Sequence, residues 1–138
     1  MTHLKEGGIL AVQIPYNNAE PLFQIIAETV KEPKWGFENT VAETARTLSP
    51  GEYYNILSKC SSSFDVWETR YYHSMPDINA MLEWVKGSRL RPYLAALNTE
   101  KQEEFIQTLL HKAEKSYSPM NDGTISFGFN RLFFTAKL

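Results

Sequence analysis

The arrangement of apolar and polar positions along the chain predicts three strands. Residues 9–14 are almost continuously apolar, which predicts a strand buried on both faces inside a helix-covered sheet. Residues 64–73 are dense in aromatic and β-branched side chains and predict a second strand. After an Asn-Asp-Gly turn signal, residues 124–129 and 132–138 predict either one strand or a pair of strands.

Two helices are predicted between the first and second strands. The first begins at Pro21, because proline suits the first helical position, and ends before Pro33. The pattern that follows is weak, and a short helix over residues 40–46 is one interpretation of it. Ser49 and Glu52 then form a capping box, which predicts the start of the second helix.

The segment of residues 76–118, between the second and third strands, has a helical pattern throughout. Its first helix ends at Gly87, and Leu90 starts a short helix. Thr99 and Gln102 have the spacing of another capping box, which predicts that Thr99 caps a long amphipathic helix. The predicted order is therefore strand, helices, strand, helical insertion, strand.

Composition restricts the class of protein. The chain has 138 residues, 43% of them hydrophobic, which suits a single globular domain over residues 1–138. A net charge of −2 does not indicate a nucleic-acid partner, and the longest apolar run is too short to span a membrane. The single cysteine, Cys60, has no internal disulfide partner, which fits a cytoplasmic setting. The three histidines lack the spacing of a metal site.

Five ordered blocks of sequence resemble the trans-aconitate 2-methyltransferase family. They are Gly8–Asn17 with Glu20-Pro21, Tyr53–Leu57, Asp65–Met75, Ala80–Val85 continuing to Leu90-Arg-Pro92, and Phe129–Ala136. The blocks span nearly the whole chain in the family's order. The resemblance implies a role in transferring a methyl group from S-adenosylmethionine to a carboxylate of a small polycarboxylic acid.

The resemblance also implies a fold. The implied fold class is α/β. It is a partial Rossmann-like methyltransferase sheet, a mixed sheet made of the family's last three strands, with helices and a helical cap insertion. Residues 9–14, 64–73 and 132–138 would be the fifth, sixth and seventh strands, with the last running antiparallel between the other two. Residues 76–118 would form the cap over the acceptor.

The methyl-donor site has no counterpart in this sequence. Binding such a cofactor needs a glycine-rich turn between a strand and a helix, so that the backbone can approach the ligand closely. The chain has seven glycines, and no two of them stand two positions apart. We therefore expect that the isolated chain does not bind S-adenosylmethionine. We expect it to be an acceptor-binding fragment that is inactive by itself.

Arginines are the first candidates for binding the acceptor. A carboxylate is already deprotonated at neutral pH, so methyl transfer to it needs no general base and we assign no catalytic residue. Arginine binds carboxylates through two parallel hydrogen bonds. Arg91, in the Leu-Arg-Pro block, is the first choice, Arg131 is the second, and Arg89 is a looser candidate.

Polar and aromatic residues supply the other candidates. Tyr72 and His73, on the second strand, are predicted to donate hydrogen bonds to the acceptor, although packing within the sheet is the alternative. Gln13 and Asn17 lie at the carboxyl end of the first strand, where ligands bind in open α/β sheets. Trp84 is expected to fill the core of the cap rather than line a pocket.

Association is a further expectation. The first strand would expose the edge on which the family has its fourth strand, and unpaired apolar edges favour pairing with another chain. We expect a homodimer formed through that edge, or an exchange of elements between chains. A truncated, non-catalytic binding or oligomerisation module is the alternative function.

Overall fold

The computed structural model describes residues 4–39 and 47–137, and the proposed helix over residues 40–46 lies outside these ranges. The chain divides into two compact units. Of the described residues, the first unit contains 4–17, 47–71 and 129–137, and the second contains 18–39 and 72–128. Among the described residues, no helix is both long enough and apolar enough to cross a membrane.

The described strands and helices follow the predicted order. In chain order they are β1 (Ile9–Pro15), α1 (Pro21–Thr29), α2 (Pro50–Cys60), β2 (Ser63–Met75), α3 (Ile78–Lys86), α4 (Arg91–Ala95), α5 (Thr99–Glu114) and β3 (Ile125–Lys137), with two 3-10 turns at Pro33–Trp35 and Phe37–Asn39. The final segment forms one continuous strand rather than a pair.

The three strands form one open antiparallel sheet in the order β1-β3-β2. The pairing of β1 with β3 runs from Ile9 opposite Lys137 to Pro15 opposite Arg131. The last strand therefore lies between the other two, as expected. The predicted fold class, a partial methyltransferase-like α/β fold, is confirmed.

In the first unit, α2 covers one face of the sheet. The Ser49 side chain accepts a hydrogen bond from the Glu52 backbone while the Glu52 carboxylate accepts one from the Ser49 backbone, so the predicted capping box is confirmed. Leu57 of α2 packs against Phe134 and Ala136 of β3. Several partly buried side chains join this cluster: Leu10, Val12, Tyr53, Phe64 and Val66.

The prediction that β1 is buried on both faces is wrong. Exposure alternates along the strand, and Ile9 is 64% exposed. Leu10 and Val12 face the side that α2 covers, whereas Ile9, Ala11 and Gln13 project to the other side. The apolar sequence of β1 is typical of a strand with both faces buried, but the described residues cover only one of its faces.

The second unit has a closed apolar interior. Leu22 and Ile26 of α1, Met81 of α3, and Phe105 and Leu109 of α5 are fully buried. The 3-10 turns add two more buried rings, and both meet Phe105 edge to face: Trp35 at 4.9 Å and Phe37 at 5.6 Å between ring centroids. These contacts anchor the irregular segment that follows α1.

The cap of α5 differs from the prediction. Asn98, not Thr99, is the N-cap, and its side chain accepts a hydrogen bond from the backbone N–H of Lys101 at 2.9 Å. Gln102 does not reach back to the cap, because its side chain donates to the carbonyls of Leu94 and Leu97. The capping box predicted for Thr99 and Gln102 is therefore wrong, since an equally good capping residue lies one position earlier.

Candidate functional site

The six predicted acceptor contacts fall into two groups. Gln13, Asn17 and Arg131 belong to the first unit. The second unit contains the others: Tyr72, His73 and Arg91.

Gln13 and Arg131 share one face of the sheet. We use the term open face for the side opposite α2, formed by Ile9, Ala11, Gln13, Asp65, Trp67, Thr69, Tyr71, Arg131, Phe133, Thr135 and Lys137. Gln13 is opposite Phe133 in the register, and Arg131 lies on β3 two positions before Phe133. Side chains two positions apart on a strand project to the same side, so the amide and the guanidinium are neighbours at one end of this face.

A ring supports Arg131. Its guanidinium carbon lies 4.6 Å from the centroid of the Phe129 ring, which is a cation–π contact. Arg131 is half-buried. The guanidinium donors lie in the plane of the group, in the fork geometry that binds a carboxylate.

Asn17 has a structural contact. It is buried, and its side-chain oxygen accepts a hydrogen bond from the backbone N–H of Asn130 at 2.6 Å. The Tyr16 N–H donates to the Asn130 carbonyl at 2.9 Å, so the two bonds extend the β1–β3 pairing past the end of β1. The side-chain oxygen of Asn17 thus holds the end of the strand in place. The role of Asn17 as a contact for the acceptor stays a prediction.

Asn130 was not singled out from the sequence. Its side-chain amide donates to the Glu68 carboxylate of β2 at 3.0 Å, so it ties the central strand to an outer one. Its side-chain oxygen is buried and has no hydrogen-bond partner among the described residues. The sequence signal that could have identified Asn130 is its position inside a strand rich in aromatic residues, where a polar side chain needs a hydrogen-bond partner.

In the second unit, His73 contacts a tryptophan. Tyr72 is 68% exposed, and the His73 ring meets the Trp84 ring edge to face at 4.7 Å between centroids. Trp84 also meets the buried Phe127 ring at 5.7 Å. Trp84 is 42% exposed, so the expectation that it fills the core of the cap is wrong. It borders the core and leaves part of an aromatic surface accessible beside His73.

The remaining arginines lie near the short helix α4. Arg91 is its first residue and is exposed, and Arg89 is partly buried in the turn after α3. A five-residue helix has too small a dipole to form an anion site by itself. Arg91 thus depends on its own guanidinium for any contact with an acceptor.

The turn between β1 and α1 differs from a glycine-rich cofactor-binding turn. The β1–α1 turn contains no glycine, and the glycines with positive φ, which are Gly7, Gly36 and Gly123, lie elsewhere. The start of α1 is also occupied. The Tyr117 hydroxyl donates to the buried carboxylate of Glu20 at 2.7 Å and accepts from the backbone N–H of Leu22 at 2.9 Å. The Tyr117 hydroxyl therefore satisfies one of the backbone donors at the start of α1.

The resolved pKa shifts concern groups outside the predicted contacts. A hydrogen bond from Lys112 lowers the pKa of Glu32, and one from Lys101 lowers the pKa of Glu104. A hydrogen bond from the Thr124 hydroxyl lowers the pKa of Asp122 in the predicted Asn-Asp-Gly turn. All three are structural pairings. In the two described ranges, no cluster of three His, Cys, Asp or Glu residues suits a metal ion.

Comparison with known proteins relates this geometry to a family. No family model matches the chain. Trans-aconitate 2-methyltransferase from Agrobacterium fabrum is 41% identical over 99% of this chain, and its namesake from Rhizobium rhizogenes is 38% identical over 99%. The protein of the same name from Yersinia pestis is 35% identical over 99%. The chain spans about half the length of these relatives, 54% of each. The chain thus corresponds to a C-terminal fragment of the trans-aconitate 2-methyltransferase family.

Proposed function

We propose that this chain is the acceptor-binding part of an S-adenosylmethionine-dependent methyltransferase that acts on a carboxylate of a small polycarboxylic acid such as trans-aconitate. One observation carries the proposal. Relatives named trans-aconitate 2-methyltransferase match 99% of the chain at 35–41% identity. The matched part includes the open face, on which two of the six predicted contacts, Gln13 and Arg131, are neighbours.

Arg131 is the principal carboxylate ligand in this proposal. Its support comes from the cation–π contact with Phe129, which restricts the long side chain and so reduces the entropy lost on binding. A paired hydrogen bond from a guanidinium to a carboxylate is both directional and charge-assisted. Gln13, on the same face, adds amide donors to a second oxygen of the acceptor.

Tyr72, His73 and Arg91 are proposed as further contacts for the acceptor. The support is chemical. An exposed tyrosine hydroxyl, an imidazole and a guanidinium are all donors suited to carboxylate oxygens. The exposed part of Trp84 beside His73 offers a flat apolar surface to the unsaturated carbon chain of such an acid.

These residues would work by holding the acceptor in position. The attacking oxygen of a carboxylate is deprotonated at neutral pH, so the side chains need not remove a proton. Fixing the acid through its other carboxylates orients one oxygen for in-line attack, and positioning of this kind lowers the barrier by several kcal/mol. The chain alone is inactive in this proposal, because its β1–α1 turn differs from a glycine-rich cofactor-binding turn. A cytoplasmic location is part of the same proposal.

Titration calorimetry with trans-aconitate tests the proposal. We expect the 138-residue chain to bind the tricarboxylate and Arg131→Gln to weaken binding by about 10- to 150-fold, the equivalent of one charge-assisted hydrogen-bond pair. Arg131→Lys should restore only part of the affinity, because lysine keeps the charge without the fork.

The matched control is Arg70→Gln, which removes an exposed arginine of β2 in the same unit. We expect the control to bind trans-aconitate as the unaltered chain does. Absence of trans-aconitate binding, or equal affinity in the Arg131 and Arg70 variants, would contradict the proposed site. Tight binding of S-adenosylmethionine would contradict the proposed inactivity of the chain alone.

A further inference from the structure

The strand β2 forms the end of the sheet opposite β1. In the order β1-β3-β2 it is a terminal strand, so the described residues place no strand on its outer edge. It is long, with thirteen residues from Ser63 to Met75, and it is rich in aromatic and β-branched side chains. A terminal strand of this kind presents backbone N–H and C=O groups to a further strand. Its outer edge is therefore a candidate surface for association.

Two opposite charges lie beside the middle of this edge. Thr69 is the central residue of the thirteen, and Glu68 and Arg70 flank it. Both charged side chains are exposed, and they project to the same side of the sheet because they stand two positions apart. The Glu68 carboxylate accepts a hydrogen bond from the side chain of Asn130 through Oε2, and a carboxylate can accept further hydrogen bonds.

Charges on an edge strand normally prevent pairing, and here they restrict it to one register. A second copy that continues the sheet through a two-fold axis places each residue opposite the residue equally far on the other side of a central position. An axis at Glu68 or at Arg70 would bring two identical charges together, which destabilises a strand pair. An axis at Thr69 places Glu68 opposite the partner's Arg70, and the symmetry forms this pair twice.

The rings beside these charges fit the same register. Trp67 and Tyr71 are equally far from Thr69, so an axis at Thr69 places each ring opposite the other type. They are 44% and 45% exposed, which leaves ring surface for contact across the interface. Cross-strand aromatic pairs and pairs of opposite charge both stabilise adjoining strands. The same axis aligns all thirteen residues of the two strands, so the longest overlap coincides with the best-matched side chains.

We propose that two copies of this chain form a symmetric dimer through the outer edges of β2, with the strands antiparallel and the two-fold axis at Thr69. The two three-stranded sheets then become one continuous sheet. The two pairs between Glu68 and the partner's Arg70 select the register. Gln13 and Arg131 belong to β1 and β3, so the dimer does not involve these acceptor contacts and goes beyond the proposed function.

Sedimentation velocity on the 138-residue chain gives the first test. Over concentrations up to about 1 mM, we expect a monomer–dimer equilibrium. Hydrogen exchange at low and high concentration locates the interface. Outward-facing amides of β2 should become protected in the dimer, whereas those on the outer edge of β1 should not change. A chain that stays monomeric over the whole range would overturn the proposal.

Charge reversal tests the register. Glu68→Arg places two positive charges opposite each other, and Arg70→Glu places two negative charges opposite each other, at both symmetric positions. We expect each variant to raise the dissociation constant of the dimer by about 10- to 100-fold, because two stabilising pairs become repulsive. The matched control is Lys59→Glu, which reverses an exposed charge on α2 in the same unit and should leave the dissociation constant unchanged.

A mixture of the two variants gives the sharpest result. Glu68→Arg leaves only positive charges at the two positions and Arg70→Glu leaves only negative ones, so the two chains are complementary to each other. We expect a 1:1 heterodimer from the mixture, although each variant dimerises weakly by itself. The double variant with Glu68→Arg and Arg70→Glu should also dimerise again. It too lacks the carboxylate that binds Asn130, so its recovery separates charge matching from a change in folding, which circular dichroism checks.

Three further results would overturn this interface. Equal weakening by Lys59→Glu and by the β2 variants would show an effect of net charge rather than of register. Failure of both the mixture and the double variant to associate would show that the charges do not face each other. A dimer that persists in both β2 variants, with protected amides in β1, would assign association to the outer edge of the first strand.

Discussion

The two units treat their apolar side chains differently. In the second unit, rings and aliphatic groups from α1, α3, α5 and the 3-10 turns close around one another and are fully buried. In the first unit, α2 buries one face of the sheet, while the opposite face leaves Ile9, Trp67 and Tyr71 largely exposed. The second unit therefore closes an apolar interior of its own around Phe105, whereas the first unit has the sequence of a sheet with two covered faces and has one covered face.

Substitution of an aromatic ring in each unit gives the largest expected contrast. Phe105→Ala removes a fully buried ring that contacts Trp35 and Phe37, and we expect a loss of about 3–5 kcal/mol in the free energy of unfolding. Trp67→Ala removes a larger ring from the open face and should cost about 1 kcal/mol, mainly its stacking on Phe133. Urea denaturation followed by far-ultraviolet circular dichroism measures both. Equal losses would mean that the open face is as well packed as the closed interior.

The covered side of the first unit should respond next most strongly. Leu57→Ala deletes the buried side chain of α2 that contacts Phe134 and Ala136, and a loss of about 2–4 kcal/mol is expected. Its neighbour Ile56 is exposed, so Ile56→Ala should change stability by less than about 0.5 kcal/mol. The same denaturation curves decide between them, and a cost for Ile56→Ala equal to that of Leu57→Ala would show that α2 is oriented differently.

A smaller effect tests the hydrogen bonds of the Tyr117 hydroxyl in the second unit. Tyr117→Phe removes the hydroxyl that donates to Glu20 and accepts from the Leu22 N–H, at a cost of about 1–3 kcal/mol because both partners lose a bond in a buried setting. Tyr54→Phe removes a hydroxyl from an exposed tyrosine of α2 and should be close to neutral. A neutral Tyr117→Phe would show that water replaces the hydroxyl at the start of α1.

The smallest effect concerns the ion pair between Glu32 and Lys112. The pairing lowers the pKa of Glu32 below its ordinary value of 4.5, so its contribution is complete above pH 4.5 and is lost as the pH falls through the lowered pKa. Because both side chains are partly exposed, we expect only about 0.5 kcal/mol at neutral pH. A double-mutant cycle with Glu32→Gln and Lys112→Met, measured at pH 7 and at a pH below the lowered pKa of Glu32, should show coupling only at the higher pH. Coupling that persists in acid would assign the contact to something other than charge.

Local patterns predicted most of the elements. Pro21 and the Ser49–Glu52 capping box correctly located the starts of α1 and α2, and the aromatic and β-branched run located β2. The cap of α5 was placed one residue late, because Asn98 and Thr99 are both good capping residues and only the position of Gln102 against Leu94 and Leu97 distinguishes them. The candidate site was predicted less well, since a side chain's partners depend on distant residues. Asn17 meets Asn130 across 113 positions of sequence, and Trp84 meets His73 from another element.

The amino-acid sequence alone specified the order of strands and helices and the resemblance to a methyltransferase family, because capping residues, turns and apolar periodicity act over a few neighbouring positions. The tertiary structure confirmed the central position of the last strand, which the resemblance implied, and decided that α2 covers only one face of the sheet. The apolar pattern of β1 is the same whether its second face is covered or open. Burial depends on which elements pack there, so exposure of that face became evident only in three dimensions.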